Sequence, residues 1–133
     1  KEFVASSFSP GDHGTTFGGN PFSSNAGCTV FEIMEEERLV ENSAKVGAYF
    51  KNQLSRLTKE YPEQFCEVRG LGLMLGLETV PEVAGRLQRL LFEKHYLVGN
   101  VGGKVLRILP PLILKNNDVD EFVQVLRECI AVL

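Results

Sequence analysis

At 133 residues and 14.8 kDa the chain has room for one ordinary domain rather than two. Hydrophobic residues make up 44% and charged residues 23%, a globular composition, and no apolar run approaches the ~18 residues of a membrane span. A net charge of -3 without any Lys/Arg cluster argues against a nucleic-acid phosphate binder, so neither nucleic acid nor membrane is expected as a partner.

Cys28, Cys66 and Cys129 are odd in number and widely spaced, and His13 and His95 are far apart, so neither a disulfide framework nor a metal site is expected. Reduced thiols and the lack of a charged start followed by an apolar run predict a cytoplasmic protein. The chain opens Lys-Glu-Phe without a methionine, which suggests part of something longer.

From Ser6 to Asn25 the chain is rich in Ser, Gly, Thr, Asn and Pro, a loop composition. Thr29 to Glu36 reads as a helix with an ambiguous start among Ser23, Ser24 and Asn25. Leu39, Val46, Phe50, Leu54, Leu57 and Tyr61 then form one apolar stripe at helical spacing, ended by Pro62. From Cys66 to Thr79 the period becomes two. One strand is predicted there, with Leu71, Leu73, Leu75 and Leu77 on its core face and glycines on the other. Glycines in a strand suggest close approach by another backbone or a ligand.

Val83, Leu87, Leu90 and Leu91 predict a short helix after Pro81, and Tyr96–Val98 and Lys104–Leu109 two strands around Gly102-Gly103. A last helix, capped by Asn117, carries the stripe Val119, Phe122, Val123, Leu126, Ile130 and Leu133. The predicted fold is a two-layer α/β (α+β) unit, a small sheet with helices over its leucine face.

Four places rise above that framework. In Gly11-Asp12-His13-Gly14-Thr15-Thr16-Phe17-Gly18-Gly19-Asn20-Pro21, glycines leave backbone N–H groups open and Thr15 and Thr16 each carry an O–H, a set suited to phosphate. The competing reading is a glycine-rich turn in which the threonines bond their own backbone. Arg107 lies in the apolar strand Val105–Leu109, where it either faces a carboxylate or reaches solvent. Gly70, Gly72 and Gly76 suit close backbone packing better than a ligand. His95 suits the negative end of a helix better than catalysis. No Ser/His/Asp, Cys/His or paired-carboxylate set can be assembled, and none of the seven lysines has an evident apolar pocket to prepare it for Schiff-base chemistry.

Three motifs, in order and over nearly the whole chain, carry a resemblance. The loop Gly11–Pro21, the stretch Arg69-Gly70-Leu71-Gly72-Leu73-Met74-Leu75-Gly76-Leu77-Glu78, and Asn100-Val101-Gly102-Gly103-Lys104-Val105-Leu106-Arg107-Ile108-Leu109-Pro110-Pro111-Leu112 resemble segments of the class III pyridoxal-phosphate-dependent aminotransferases. Their wording is most similar to the acetylornithine branch, with the ornithine, succinylornithine and 4-aminobutyrate branches close behind.

The resemblance covers the C-terminal third of such an enzyme. It implies an active-site loop and the start of a linking helix in residues 1–28, belonging to a large domain that lies upstream. Residues 29–133 would be the small C-terminal α/β domain, a short, mostly antiparallel sheet covered on one face by helices. Thr16 would bond the phosphate of pyridoxal 5'-phosphate across a homodimer interface, Thr15 would contact the acylated substrate, and Arg107 would pair with a glutamate or a substrate carboxylate. No catalytic residue is implied in this chain, because the Schiff-base lysine lies upstream. The implied reaction transfers an amino group between N-acetylornithine and 2-oxoglutarate in arginine biosynthesis, and the chain alone is expected to be inactive. A free-standing module for a small ligand and a purely structural interaction domain stay open as alternatives. Where the family carries an alanine-rich helical run after Pro21, this chain has Phe22-Ser23-Ser24-Asn25-Ala26-Gly27-Cys28, of weaker helix propensity.

Overall fold

A computed structural model describes residues 1–133 in two units, Lys1–Glu37 and Arg38–Leu133. A single helix runs through Cys28, and the two units part after Glu37.

The first unit holds a short helix α1 (Glu2–Ala5), a loop, and α2 (Pro21–Glu36). Composition predicts a loop as far as Asn25, yet α2 begins at Pro21. The reason is local. Asn20 is extended, with φ -70 and ψ 157, and its Oδ1 accepts from the Ser23 N–H at 3.0 Å. Such a cap is worth about 1 kcal/mol, and a proline in the first turn has its φ already set for the helix. Cap and proline together outweigh the poor propensities of Ser23, Ser24 and Gly27.

In the second unit α3 (Leu39–Glu60) buries Leu39, Val46, Phe50, Leu54 and Leu57, the stripe expected for it. Beyond α3 the chain forms a hairpin, not the single strand predicted over 66–79. Strands β1 (Phe65–Leu71) and β2 (Met74–Thr79) pair antiparallel, closing at Leu71 opposite Met74 through the turn Gly72-Leu73. Gly70 (φ +135) and Gly72 (φ +55) supply backbone conformations that a side chain resists, so the chain reverses there. Leu71 is consequently 89% exposed, whereas Leu73, Leu75 and Leu77 are buried. The turn sits under α3: the Ser43 Oγ accepts from the Leu73 N–H at 3.2 Å, and a methyl built on Gly47 would lie 2.2 Å from the Gly72 carbonyl oxygen. Close backbone packing is thus what Gly47 serves, while Gly72 supplies the positive φ of the turn and leaves room for the Ser43 Oγ.

Helix α4 (Val83–Glu93) starts where the buried Thr79 Oγ1 accepts from the Ala84 N–H at 3.1 Å. Its end is marked by His95, which adopts a left-handed conformation (φ 67) while its N–H donates to the Phe92 carbonyl. The next strand, β3, spans Gly99–Val101 rather than the predicted Tyr96–Val98. Tyr96 is instead bound to the helices: its N–H donates to the Leu91 carbonyl at 2.8 Å, its ring meets Phe122 edge-on at 5.5 Å, and its O–H donates to Glu121 at 2.6 Å. Strand β4 (Val105–Ile108) completes an antiparallel sheet of order β1-β2-β4-β3.

The last helix, α5, spans Asn116–Ile130. Its cap differs from the expected one: Asp118 accepts the Lys115 N–H at 2.8 Å, and Asn117 lies inside the first turn. Leu75, Leu77, Leu106 and Ile108 of the sheet share one core with Phe50 and Leu54 of α3, Leu87 and Leu91 of α4, and Val119 and Leu126 of α5. Within the second unit the three helices lie on one face of the sheet only. Two layers with a leucine face inside are the expected fold.

Candidate functional site

Within the first unit Thr15 and Thr16 stand at the head of a tight turn. The Thr15 Oγ1 accepts from the Gly18 N–H at 3.1 Å. Glycine at 18 is a steric need, since a methyl there would come 2.3 Å from the Thr15 Cγ2. Asn20 fixes the other end, donating from Nδ2 to the Phe17 carbonyl and to the Ser23 Oγ while capping α2. The reading in which a threonine bonds its own backbone is met at Thr15 and not at Thr16. Thr15 bonds its own backbone as an acceptor and keeps an O–H to donate, whereas the exposed Thr16 hydroxyl forms no hydrogen bond. Asn20 was missed as a working residue, although Asn before Pro at the head of a helix is a start signal.

Arg107 belongs to the second unit. Strand alternation puts Leu106 and Ile108 into the core, so Arg107 and Leu109 face outward and Arg107 is exposed. Of its two sequence readings, the solvent-reaching one describes its surroundings, though β4 is an inner strand rather than an edge. Strand register sets out one row across the outer face: Arg69 opposite Gly76, Gly76 opposite Arg107, and Arg107 opposite Gly99. The two arginines of that row differ. Arg69 is bonded to Glu67 at 2.8 Å and to Glu78, and these carboxylates raise its guanidinium pKa further. Arg107 enters no salt bridge or side-chain hydrogen bond and so keeps its donors free.

Just beyond it, Asn42 of α3 donates from Nδ2 to the carbonyls of Leu112 (2.7 Å) and Leu114 (3.1 Å), which ties down the segment after Pro110-Pro111. The remaining perturbed groups brace helices. Tyr49 donates to Asp120 at 2.6 Å, which raises the phenol's pKa. The hydrogen bond from Arg127 holds the Glu60 carboxyl below its usual range. No lysine is buried: Lys51 donates to the Gly70 carbonyl at 3.3 Å, and Lys94 pairs with Glu128 at 3.4 Å. His95 marks the helix end and contributes nothing further that the geometry reveals.

A model of the family "Aminotransferase class-III" matches residues 1–130. Acetylornithine aminotransferase of Methanothermobacter thermautotrophicus is 40% identical over 130 residues, which are 98% of this chain and 33% of that protein. That of Aquifex aeolicus is 45% identical over 128 residues, 96% of this chain and 32% of the relative. Among solved structures, acetylornithine aminotransferase from Elizabethkingia anophelis superposes with a TM-score of 0.83 at 25% identity, over 98% of this chain and 33% of that one. Lysine aminotransferase from M. tuberculosis also reaches 0.83, at 26% identity over 92% of this chain and 28% of that one. The chain thus spans about a third of the length of the relatives it matches. It belongs to the class III aminotransferase family.

Proposed function

We propose that this chain forms the C-terminal part of a cytoplasmic, homodimeric aminotransferase that moves an amino group between N-acetylornithine and 2-oxoglutarate in arginine biosynthesis. The observation that carries the reading is the free Thr16 hydroxyl, held in a glycine-lined turn of a chain whose residues 1–130 match the family. The name acetylornithine aminotransferase carried by its relatives supports that donor over ornithine, succinylornithine or 4-aminobutyrate.

The loop fits the phosphate end of pyridoxal 5'-phosphate. Thr16 offers an uncommitted O–H to it, while Thr15, whose lone pair stays with the Gly18 N–H, keeps its own O–H for the substrate. When bound, that cofactor supplies the electron sink that makes amino transfer possible. The chain's own residues bind and orient. Thr16 donates to the phosphate housed in the partner subunit, Thr15 contacts the acylated donor, and Arg107 offers its planar fork to a substrate carboxylate. Residues 1–28 act in this reading as part of the large domain, and 29–133 as the small domain.

The test is amino transfer by the full-length protein carrying this chain, supplied with pyridoxal phosphate, 2-oxoglutarate and one donor at a time. Glutamate should form fastest from N-acetylornithine. Preference for ornithine, succinylornithine or 4-aminobutyrate would move the protein to another branch, and no glutamate from any donor would overturn the reading.

A further inference from the structure

Gly99 has no backbone reason to be glycine. It sits in the edge strand β3, and it is absent from the glycines with positive φ. Glycine weakens a strand, so something other than chain conformation must account for it. The surroundings name a single cause. A methyl built on Gly99 would lie 3.0 Å from Nε, 3.2 Å from Cβ and 3.4 Å from Nη2 of Arg107, and these are its three nearest atoms. The arginine side chain lies across the bare backbone of its neighbour.

The opposite side of the row is also bare but unused by Arg107. A methyl on Gly76 would meet the Val105 Cγ1 at 3.2 Å and the Arg69 Cγ at 3.8 Å instead. Arg107 therefore leans over β3, away from Arg69 and its two carboxylates. That direction keeps its donors clear of Glu67 and Glu78, which would otherwise compete with an incoming anion.

We infer that Gly99 is a positioning residue: its missing side chain forms the bed on which the Arg107 guanidinium lies, and so sets the direction from which a substrate carboxylate is received. This rests on the reading of Arg107 as a carboxylate partner. A side chain at 99 lifts the fork off the strand and frees it to turn. Paired N–H···O bonds depend on direction, so binding weakens while the strand itself, given a residue that favours β structure, does not.

The experiment compares Gly99→Ala, Gly99→Val, Arg107→Ala and the double variant Gly99→Val/Arg107→Ala in the full-length holoenzyme, reading KM for 2-oxoglutarate, kcat and the thermal midpoint. A methyl at 99 obliges the Arg107 side chain to give by a few tenths of an ångström and a valine by more, so KM should rise about threefold or more for Gly99→Val and less for Gly99→Ala. kcat at saturation should change less than KM, and the thermal midpoint should hold or rise. In the absence of Arg107, Gly99→Val should add nothing. If Arg107→Ala raises KM while both Gly99 variants leave it unchanged, the positioning role is overturned and the carboxylate reading survives. A Gly99→Val effect that persists without Arg107 overturns it as well. If Arg107→Ala leaves KM unchanged, the carboxylate reading falls and this inference falls with it.

Discussion

Gly47→Ala and Gly85→Ala make the same chemical change in two helices of one unit, and they should act in opposite directions. In a helix interior alanine is favoured over glycine by about 0.8–1 kcal/mol. At Gly85, in the first turn of α4, a methyl would meet only the Asn100 Nδ2 at 3.6 Å, ordinary contact, so part of that gain should appear as added stability. At Gly47 the methyl would lie 2.2, 2.3 and 2.7 Å from the carbonyl oxygen, carbonyl carbon and Cα of Gly72. Backbone cannot swing aside as a side-chain tip can, so α3 and the hairpin turn must part by about 1 Å to restore a normal carbon contact distance. Overpacking of that kind costs about 1–3 kcal/mol, and the Ser43–Leu73 hydrogen bond lost with it about 1 kcal/mol more. After subtracting the propensity gain, Gly47→Ala should be destabilised by about 1–3 kcal/mol. Urea unfolding followed by circular dichroism measures both variants. A stabilised Gly47→Ala, or two variants moving together, would refute the packing of the turn beneath α3.

Alkaline titration probes Tyr96. Its hydrogen bond to Glu121, with burial, pushes its pKa from 10.0 up to about 12, so the folded state holds a proton that the unfolded state loses. That contribution is whole below pH 10 and is lost as pH rises to about 12, so the stability gap between wild type and Tyr96→Phe should shrink over this window. A gap unchanged with pH would count against it. Thiol labelling with a coloured disulfide reagent should modify exposed Cys28 and Cys66 at once and Cys129 only after unfolding, since burial both covers that thiol and raises its pKa; fast labelling of Cys129 in the native protein would show the core misassigned. The 133-residue chain alone, mixed with pyridoxal phosphate, N-acetylornithine and 2-oxoglutarate, should form no glutamate, and steady turnover would show that it holds a complete site.

The long helices were legible because each writes its burial as a period. The stripe from Leu39 to Leu57 and that from Val119 to Ile130 are the residues the core takes. The hairpin was hidden for the opposite reason. Leu71, Leu73, Leu75 and Leu77 keep a period of two straight through a two-residue reversal, and only the conformations of Gly70 and Gly72 show that Leu71 lies outside. Alternation also could not tell which face of β4 is core, because Leu106 and Ile108 are no more apolar than Val105 and Leu109; the helices packed on the sheet decide it. The start of α2 was overruled by its cap: average propensity over Phe22–Cys28 points to a loop, and Asn20 with Pro21 overrides it. In the candidate site, Thr15 and Thr16 were visible as a motif and Arg107 as a charge out of place. The bed beneath Arg107 needed the register of three strands, since Gly99 is joined to it by pairing alone.

The central claim is that the Thr16 hydroxyl holds a cofactor phosphate. The affinity of the full-length protein for pyridoxal phosphate, measured for wild type, Thr16→Val and Thr15→Val, tests it most directly. A hydrogen bond to a charged group is worth about 1.5–3 kcal/mol, so Thr16→Val should raise Kd about ten- to hundredfold. Thr15→Val should leave that Kd within a few-fold and act on the KM for N-acetylornithine instead. An unchanged Kd in Thr16→Val, with the protein folded and dimeric, would contradict the account.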